Sequence, residues 1–590
     1  MQDSADQTQP ISELIARLWR HIGTRRQKQF WLLIGLMIIS AFSEILSIGS
    51  VFPFLAALTQ PDKIFIHPIA QPVIQFLGLT SADQLLLPLT VAFILAALVA
   101  GTMRMLLLWA STRFSFAVGS DISLAIYRRT LYQPYAVHIA RNSAEVINGI
   151  WGKVSEVTFH ILIAAMTLIS GGVMVFALTL ALLFLIPGVA LGVFGGFSFI
   201  YALIILLTRK RLKIYSQLIA RESNNVIKSI QEGLYGIRDV LIDGSQESFC
   251  NMYKNNNHIL RYTQGNNQLI SQGPRYAVDV LAMALVATLA YVLSQRAGGM
   301  AEAIPALAAL ALGMQRLLPF LQQVYGAVST IHGAQASLQD VLGYLDQPLP
   351  DYADGTEAQP MPFRQQIRLG EVSFRYTPQS PWVFRNVNLC IAKGTRVGFV
   401  GATGCGKSTL LDIIMGLLQP TEGVLEIDSQ PVTMANNRSW QMHIAHVPQS
   451  VFLADCSIEE NIAFGVPRNQ IDSERVRQAA RQAQIADVIE ALPQKYHTFV
   501  GERGIQLSGG QRQRLGIARA LYKRADVIIF DEATSALDSE TELAVMNAIE
   551  ALSEDITVLI IAHRQNTLKS CTEIIELGKD GIASVEIHHE

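Results

Sequence analysis

Val397-Gly398-Phe399-Val400-Gly401-Ala402-Thr403-Gly404-Cys405-Gly406-Lys407-Ser408-Thr409 is the stretch whose reading decides the fold. Its first four residues are apolar and read as a short buried strand. The glycines follow at once, and from Leu410-Leu411-Asp412 the chain reads as a helix. Strand, glycine-rich loop and helix in that order form a P-loop. Glycines let successive backbone N–H groups turn inward around phosphate oxygens, and the helix that follows adds its positive end. Gly401, Gly404, Cys405, Gly406, Lys407, Ser408 and Thr409 are the expected nucleotide contacts. Lys407 is placed to reach the β- and γ-phosphates and Ser408 to hold Mg²⁺.

Downstream, Val527-Ile528-Ile529-Phe530 is a second buried strand that ends in Asp531-Glu532. An aspartate there orients Mg²⁺ through water, and the neighbouring glutamate acts on the attacking water as general base. An ordinary acidic strand end is the plainer reading, but the P-loop upstream favours the catalytic one. A third strand, Thr557-Val558-Leu559-Ile560-Ile561, delivers Ala562-His563-Arg564. A lone histidine at a strand end is usually structural; beyond a third core strand, His563 is a candidate sensor of the γ-phosphate. Between the second strand and the P-loop lies Leu507-Ser508-Gly509-Gly510-Gln511, opening a helix, which makes a second anion site. One nucleotide clamped between two copies of the domain, the P-loop of one against Ser508-Gly509-Gly510-Gln511 of the other, follows from having both.

Upstream the text changes character. The whole chain of 590 residues is 50% hydrophobic and only 16% charged, but the apolar residues concentrate before about position 335. A bilayer core needs about 20 mostly apolar residues per spanning helix. Six stretches meet that need: 30–58, 85–110, 159–182, 184–207, 274–293 and 304–328. Arg17, Arg20, Arg25, Arg26 and Lys28 precede the first, Arg128, Arg129 and Arg141 follow the second, and Arg209, Lys210, Arg211 and Lys213 follow the fourth. Positive residues stay on the cytoplasmic side, so both termini are expected there. The long connections 111–158 and 208–273 carry apolar residues at helical spacing (Val226, Ile227, Ile230, Leu234 and Ile237) and read as helical extensions that turn near Tyr135 and near Leu234. Segment 59–84 reads either as a helix lying on the outer surface or as an apolar loop.

Charged residues within the apolar stretches point to a cargo path. A central charge costs about 2.5–3.5 kcal/mol on insertion scales and usually faces a cavity or a partner. Glu44, Arg104, Arg275 and Arg316 are the candidates. Three arginines around one cavity would suit a phosphate-bearing cargo. The plainer readings are that Glu44 pairs with an arginine and that Arg275 snorkels to the interface. The net charge of -2 gives no hint of a nucleic-acid partner. The five cysteines show no metal-ligand spacing and read as reduced thiols. With no short apolar core before a cleavage site, the first apolar stretch is expected to stay as an anchor.

The Lys407 loop, the Leu507–Gln511 segment, the Asp531-Glu532 strand and the His563 strand, in this order behind six apolar stretches, resemble the ATP-binding cassette transporters, in their half-transporter exporter form. That resemblance spans the whole chain. It implies an α-helical six-span transmembrane domain over 1–345, a linker over 346–365 and an α/β P-loop nucleotide-binding domain over 366–590. It also implies further roles: Tyr376 stacking on adenine, Gln449 contacting Mg²⁺ and water, Glu502 in the loop that meets the coupling helices, and Asp538, in Ser535-Ala536-Leu537-Asp538, crossing to the partner. ATP and Mg²⁺ are the implied cofactors, and a second copy of the chain, or a related one, the implied partner. The segments Phe42-Ser43-Glu44-Ile45, Gly273-Pro274-Arg275 and Arg316-Leu317-Leu318-Pro319 are similar to bacterial lipid-linked oligosaccharide flippases. A flippase for such an anionic glycolipid in a bacterial inner membrane is therefore one expectation. A peptide, drug or other lipid exporter is the second, and a member that uses ATP only for gating is the third, disfavoured by intact Glu532, Gln449 and His563.

Overall fold

In the computed structural model of the chain, the described residues are 9–59, 78–185, 187–294, 299–354, 359–532, 539–550, 555–561, 571–578 and 581–587, with a few single positions besides. His563, Asp538 and most of 59–84 lie outside them. Two compact units result: Met1–Gln133 with Arg141–Pro348, and Pro134–Ala140 with Leu349–Glu590.

The first unit is helical. A short amphipathic helix, α1 (Ile11–His21), buries Leu14 and Leu18. The long helices α2 (Thr24–Thr59) and α3 (Leu86–Leu131) follow. Helix α4 (Tyr135–Ile139) belongs to the second unit. Helix α5 starts at Ser143–Ile147, passes through two π-type stretches, Asn148–Lys153 and Thr158–Leu162, and ends in Ile163–Leu185. Then come α6 (Pro187–Tyr235), α7 (Ile237–Ile242), α8 (Gln246–Gln272), α9 (Pro274–Ser294), α10 (Gly299–Gly333) and α11 (Gln335–Leu345). Both long connections are thus helical, with turns beside α4 and α7. The expected spans overlap the long helices α2, α3, α5, α6, α9 and α10, the fourth beginning in the last residues of α5, but the expected count of six is not borne out. Among the described residues, three stretches are long and apolar enough to cross a membrane: Thr24–Val51, Leu86–Leu131 and Ser143–Ala181.

Two apolar cores hold this unit. One joins α1, α3, the start of α5 and α11 through Leu14, Val118, Ile126, Val157 and Leu342. The other joins α5, α6, α9 and α10 through Leu178, Phe197, Val278 and Leu321. The unit's last residues are tied to it by hydrogen bonds rather than left as free chain. Arg129 donates to the carbonyl of Gln347 at 2.6 Å and Gln133 to that of Pro348 at 3.0 Å. Asp346 pairs with Arg17 and accepts from His21 Nε2 at 2.8 Å. Burial works against the Asp346 charge, but the hydrogen bonds from Arg17 and His21 outweigh it and hold the carboxyl below the usual range. The linker expected to begin at 346 therefore starts as a fixed part of the helical unit.

The second unit is α/β. Strands β1 (Gln366–Phe374), β2 (Phe384–Ala392), β4 (Glu422–Ile427) and β5 (Gln430–Pro431) form an antiparallel sheet in the order β2-β1-β4-β5. Strands β3 (Arg396–Gly401), β6 (Ile444–Val447), β7 (Val527–Asp531), β8 (Thr557–Ile561), β9 (Glu573–Gly578) and β10 (Gly581–Ile587) form the main sheet in the order β10-β9-β3-β8-β7-β6. It is parallel from β9 to β6, with β10 antiparallel at one edge. Parallel strands covered on both faces read as continuous apolar runs, and β7 and β8 are buried almost throughout. That is why three strands could be recognised from the chain alone. One core lies between the two sheets around α12 (Lys407–Ile414). The second packs α13 (Ile458–Ile462), α14 (Ser473–Gln482) and α15 (Gly509–Lys523) against the other face.

Candidate functional site

In an open parallel sheet, ligands bind beyond the carboxyl ends of the strands where the strand order reverses. Strand β3 has β9 on one side and β8 on the other, so the loop 402–406 leaves the sheet at such a point. Gly406 caps α12 with φ of +99°, and Gly404 holds +84°. Those left-handed angles turn the loop's N–H groups toward the helix mouth. Lys407 is buried, and its Nζ donates to the carbonyls of Gly401 at 2.8 Å and Ala402 at 3.1 Å. The ammonium is thereby held over the loop it serves.

The end of β7 brings Asp531 to this loop, hydrogen-bonded to the Ser408 hydroxyl. Burial, and then the charge of Glu532, push the Asp531 carboxyl above its ordinary range, while Ser408 and Lys407 pull it back. A hydroxyl beside a carboxylate is an all-oxygen set that suits a hard cation such as Mg²⁺, which takes few protein ligands and keeps its waters. Glu532 sits at φ of +50°, unusual for any residue but glycine. Its N–H is fixed to the Ile561 carbonyl at 3.2 Å, and its Oε2 accepts from Gln449 Nε2 at 2.7 Å. Strain held in place by its surroundings marks functional positions, and the pair brings together two residues that lie 83 apart in the chain.

Tyr376 follows β1, with its ring half exposed and its hydroxyl 3.0 Å from Thr409 Oγ1. The exposed ring beside the P-loop helix can stack on a flat base. Two neighbours escaped the sequence reading. Burial, then the charge of Asp531, raises Asp412 on α12 to about 6. Burial, then the charge of Asp412 and that of Tyr376, raises the Tyr135 phenol of α4. Charged residues inside a helix that otherwise reads apolar are the signal that would have found Asp412.

Ser508 caps α15 in a reciprocal capping box. Its N–H donates to Gln511 Oε1 at 2.8 Å, and the Gln511 N–H donates to its Oγ at 3.3 Å. Gly509 is exposed and Gly510 half-buried in the first turn of α15, where a helix has N–H groups without intrahelical partners. No hydrogen bond among the described residues joins this segment to the P-loop. The sequence reading also missed Arg519 in α15, which donates to the carbonyls of Asn461 (2.9 Å) and Phe452 (3.0 Å) and lies over the Phe464 ring. It ties the helix that starts at Ser508 to the segment that follows Gln449. Glu502 opens a short 3-10 turn after Gly501.

In the helical unit, Glu44 of α2 is 1% exposed and accepts from Arg104 Nε of α3 at 2.9 Å, with a second N–H of the guanidinium on its other oxygen. Arg104 also lines a cavity of about 550 Å³ between α2, α3, α5 and α10. Arg275 does not line it; this side chain pairs with Asp279 one turn on, at 3.9 Å, and Asp279 accepts from Gln322 at 2.6 Å. The side chain of Arg316 lies outside the described residues. Of the three arginines expected around one cavity, the described structure puts Arg104 there and gives Arg275 a partner on its own helix.

The family model described as "ABC transporter" matches residues 384–535, from β2 through the Asp531-Glu532 strand. An ATP-dependent lipid A-core flippase of Alkalilimnicola ehrlichii is 30% identical over 483 residues, which cover 80% of each chain. The ABC transporter ATM1 of Toxoplasma gondii is 31% identical over 416 residues, 65% of this chain and 35% of its own. Among solved structures, a bacterial Atm1-family ABC exporter with ATP bound superposes with a TM-score of 0.75 at 23% identity, covering 96% of this chain and 95% of the other, a likeness of fold. A P-loop and a catalytic-type glutamate built on this sheet, behind a helical unit with apolar spans, match those relatives along most of the length: the chain belongs to the ABC transporter family, as an exporter that binds ATP and couples its hydrolysis to transport across a membrane.

Proposed function

We propose that this exporter flips a lipid-linked oligosaccharide or a related anionic glycolipid across a bacterial inner membrane. It works as a homodimer with six spans per chain, and both termini and the ATP-binding unit are cytoplasmic. The observation that carries the cargo reading is Arg104, held by buried Glu44 at the wall of a cavity lined by both polar and apolar side chains. Relatives named lipid A-core flippases, which move a glycolipid by name, support it.

The catalytic assignment rests on the contacts at the sheet edge. Lys407 binds the β- and γ-phosphates, and Ser408, Asp531 and Gln449 hold Mg²⁺, which neutralises phosphate charge when bound. Glu532, positioned by Gln449, takes the proton of the attacking water. His563 senses the γ-phosphate, and Tyr376 stacks on adenine. Ser508, Gly509, Gly510 and Gln511 of one chain, with Asp538, close on the nucleotide of the other. Helix α7 leaves Leu241 and Ile242 exposed, and the ATP-binding unit exposes Phe452, Phe464 and Phe499. ATP prefers the closed dimer, and that difference in affinity drives the switch.

The test is ATPase activity of the protein in nanodiscs with a lipid-diphosphate glycan, with a lipid A-core glycolipid, or with neither. Stimulation by either glycolipid is expected. Activity indifferent to both, with stimulation by a hydrophobic peptide or drug, would replace this reading by an exporter of other amphipathic cargo.

A further inference from the structure

We infer that the π-helical turn Asn148–Lys153 of α5 is a conformational switch, latched by the ion pair of Lys153 with Asp340 of α11 and released during the ATP cycle. Buried positions along this part of α5 come in adjacent pairs: Asn148 and Gly149, Lys153 and Val154, Val157 and Thr158, Ile161 and Leu162. The second pair follows the first by five residues, and each later pair follows by four. A regular helix turns about 100° per residue. It would put Gly152 next on the buried face and Lys153 about 100° further round. The i→i+5 bonds of a π turn take up the extra residue and carry the lysine inward, where it is 3% exposed.

The turn holds α11 in place. Lys153 Nζ donates to Asp340 Oδ2 at 2.7 Å, and the Ser337 hydroxyl is hydrogen-bonded to the Glu156 carboxylate. The Tyr344 hydroxyl donates to the Glu145 carbonyl at 3.3 Å, and a Cβ added at Gly149 would stand 2.5 Å from the Tyr344 ring. Ser337, Asp340 and Tyr344 share one face of α11 and meet α5 in antiparallel order. Asn148 Nδ2 donates to Asn224 Oδ1 of α6 at 2.7 Å and to Ser223 Oγ at 3.2 Å, and Ser123 of α3 donates to the Ile150 carbonyl at 3.2 Å. Helix α11 ends at Leu345, and the chain leaves the helical unit at Pro348. A pull on the chain there reaches α5 through Asp340 and Lys153, and through α5 it reaches Ile163–Leu185.

Stability does not account for this arrangement. Burying an ammonium is costly even beside a carboxylate, and well-packed apolar residues of similar volume are often neutral or stabilising in its place. Gly149 and Gly152 weaken the helix further relative to alanine. A rare turn, a buried charge and two glycines within six residues make a segment held from outside, by Asp340, more than by its own propensity. Loss of that hold lets it relax toward the α register, which swings Lys153 off the buried face.

The test is hydrogen–deuterium exchange of backbone amides in the full protein in nanodiscs, nucleotide-free against trapped with ATP and vanadate. In wild type, exchange over 148–153 is expected to differ by about tenfold or more between the two states, while 114–122 of α3 moves by less than about twofold. Asp340→Asn removes the charge that holds Lys153. It is expected to exchange over 148–153 at the faster of the two wild-type rates in both states. Lys153→Met with Asp340→Leu replaces the pair by an apolar contact that water does not part. It is expected to melt no lower than wild type and to exchange at the slower rate in both states. Equal exchange over 148–153 in the two states of wild type would overturn the inference without recourse to a variant. So would an Asp340→Asn protein that keeps the wild-type difference. A double variant that melts well below wild type would show that the pair serves stability, and that also overturns it.

Discussion

Replacing Gly406 and Gly404 one at a time by alanine separates backbone strain from packing in the phosphate loop. Both hold left-handed angles, +99° and +84°, and a residue with a Cβ pays about 1–2 kcal/mol there. At Gly404 that is the whole cost, because an added Cβ meets nothing within 4 Å. At Gly406 the added carbon would lie 2.7 Å from Val383 Cγ1 and 3.0 Å from Phe384 Cδ1. Phe384 is fully buried in the core between the sheets, so it has little room to retreat, and overpacking adds about 1–3 kcal/mol. If the loop relieves the strain by leaving its phosphate-cradling shape, apparent affinity falls by the fraction still competent. Gly404→Ala should then lose about 5- to 30-fold in ATP affinity, and Gly406→Ala about 5- to 150-fold more. The assay is binding of a fluorescent ATP analogue to the full chain in nanodiscs, read as affinity because unfolding of a two-unit protein is not two-state. Gly406→Ala binding as tightly as Gly404→Ala would show that the contact with Phe384 does not constrain the loop.

Three further outcomes follow from single contacts. Ser508→Ala should destabilise α15 by about 1 kcal/mol, whereas Ser508→Asp should keep the cap but abolish hydrolysis if this helix end faces a partner's nucleotide; an active Ser508→Asp protein would exclude that role. Arg104→Ala removes two charge-assisted hydrogen bonds from the buried Glu44 carboxylate and should cost about 3 kcal/mol, seen as a lower melting temperature in detergent, with much of it recovered in Glu44→Gln plus Arg104→Gln. An unchanged melting temperature of Arg104→Ala would show that the pair is not held in place. Asp412 is raised to about 6 by burial and then by Asp531, so its contribution is fully present at the low pH where unfolded carboxylates are still protonated and is lost as pH rises through about 6. Asp412→Asn should therefore gain melting temperature over wild type between pH 5 and pH 8, and a difference that stays flat with pH would contradict the assignment.

How much could be read from the chain depended on how local the determining physics was. Strands β3, β7 and β8 lie within a residue of where their apolar runs place them, because burial on both faces demands such runs. The P-loop was equally legible, since its glycines meet a backbone requirement written at single positions. The Asp531–Ser408 contact follows from the Mg²⁺ role that the P-loop and the second strand's end each suggest, whereas the Gln449–Glu532 contact joins residues far apart in sequence whose shared site only the resemblance to known exporters implied. The positive φ of Glu532 left no signal, because glutamate carries no conformational signature of its own. In the helical unit, Asp279 one turn beyond Arg275 is an i,i+4 partner that the charge reading overlooked. The clamp on Asp346 by Arg17 and His21 escaped notice because its partners come from opposite ends of the unit.

The most direct measurement of the central claim is movement of a fluorescent lipid-linked glycan across the bilayer of proteoliposomes holding the purified protein, with and without ATP, for wild type and Glu532→Gln. ATP-dependent movement is expected in wild type and none above background in Glu532→Gln, which still binds ATP. Movement that needs no ATP, or that Glu532→Gln supports at the wild-type rate, would contradict it.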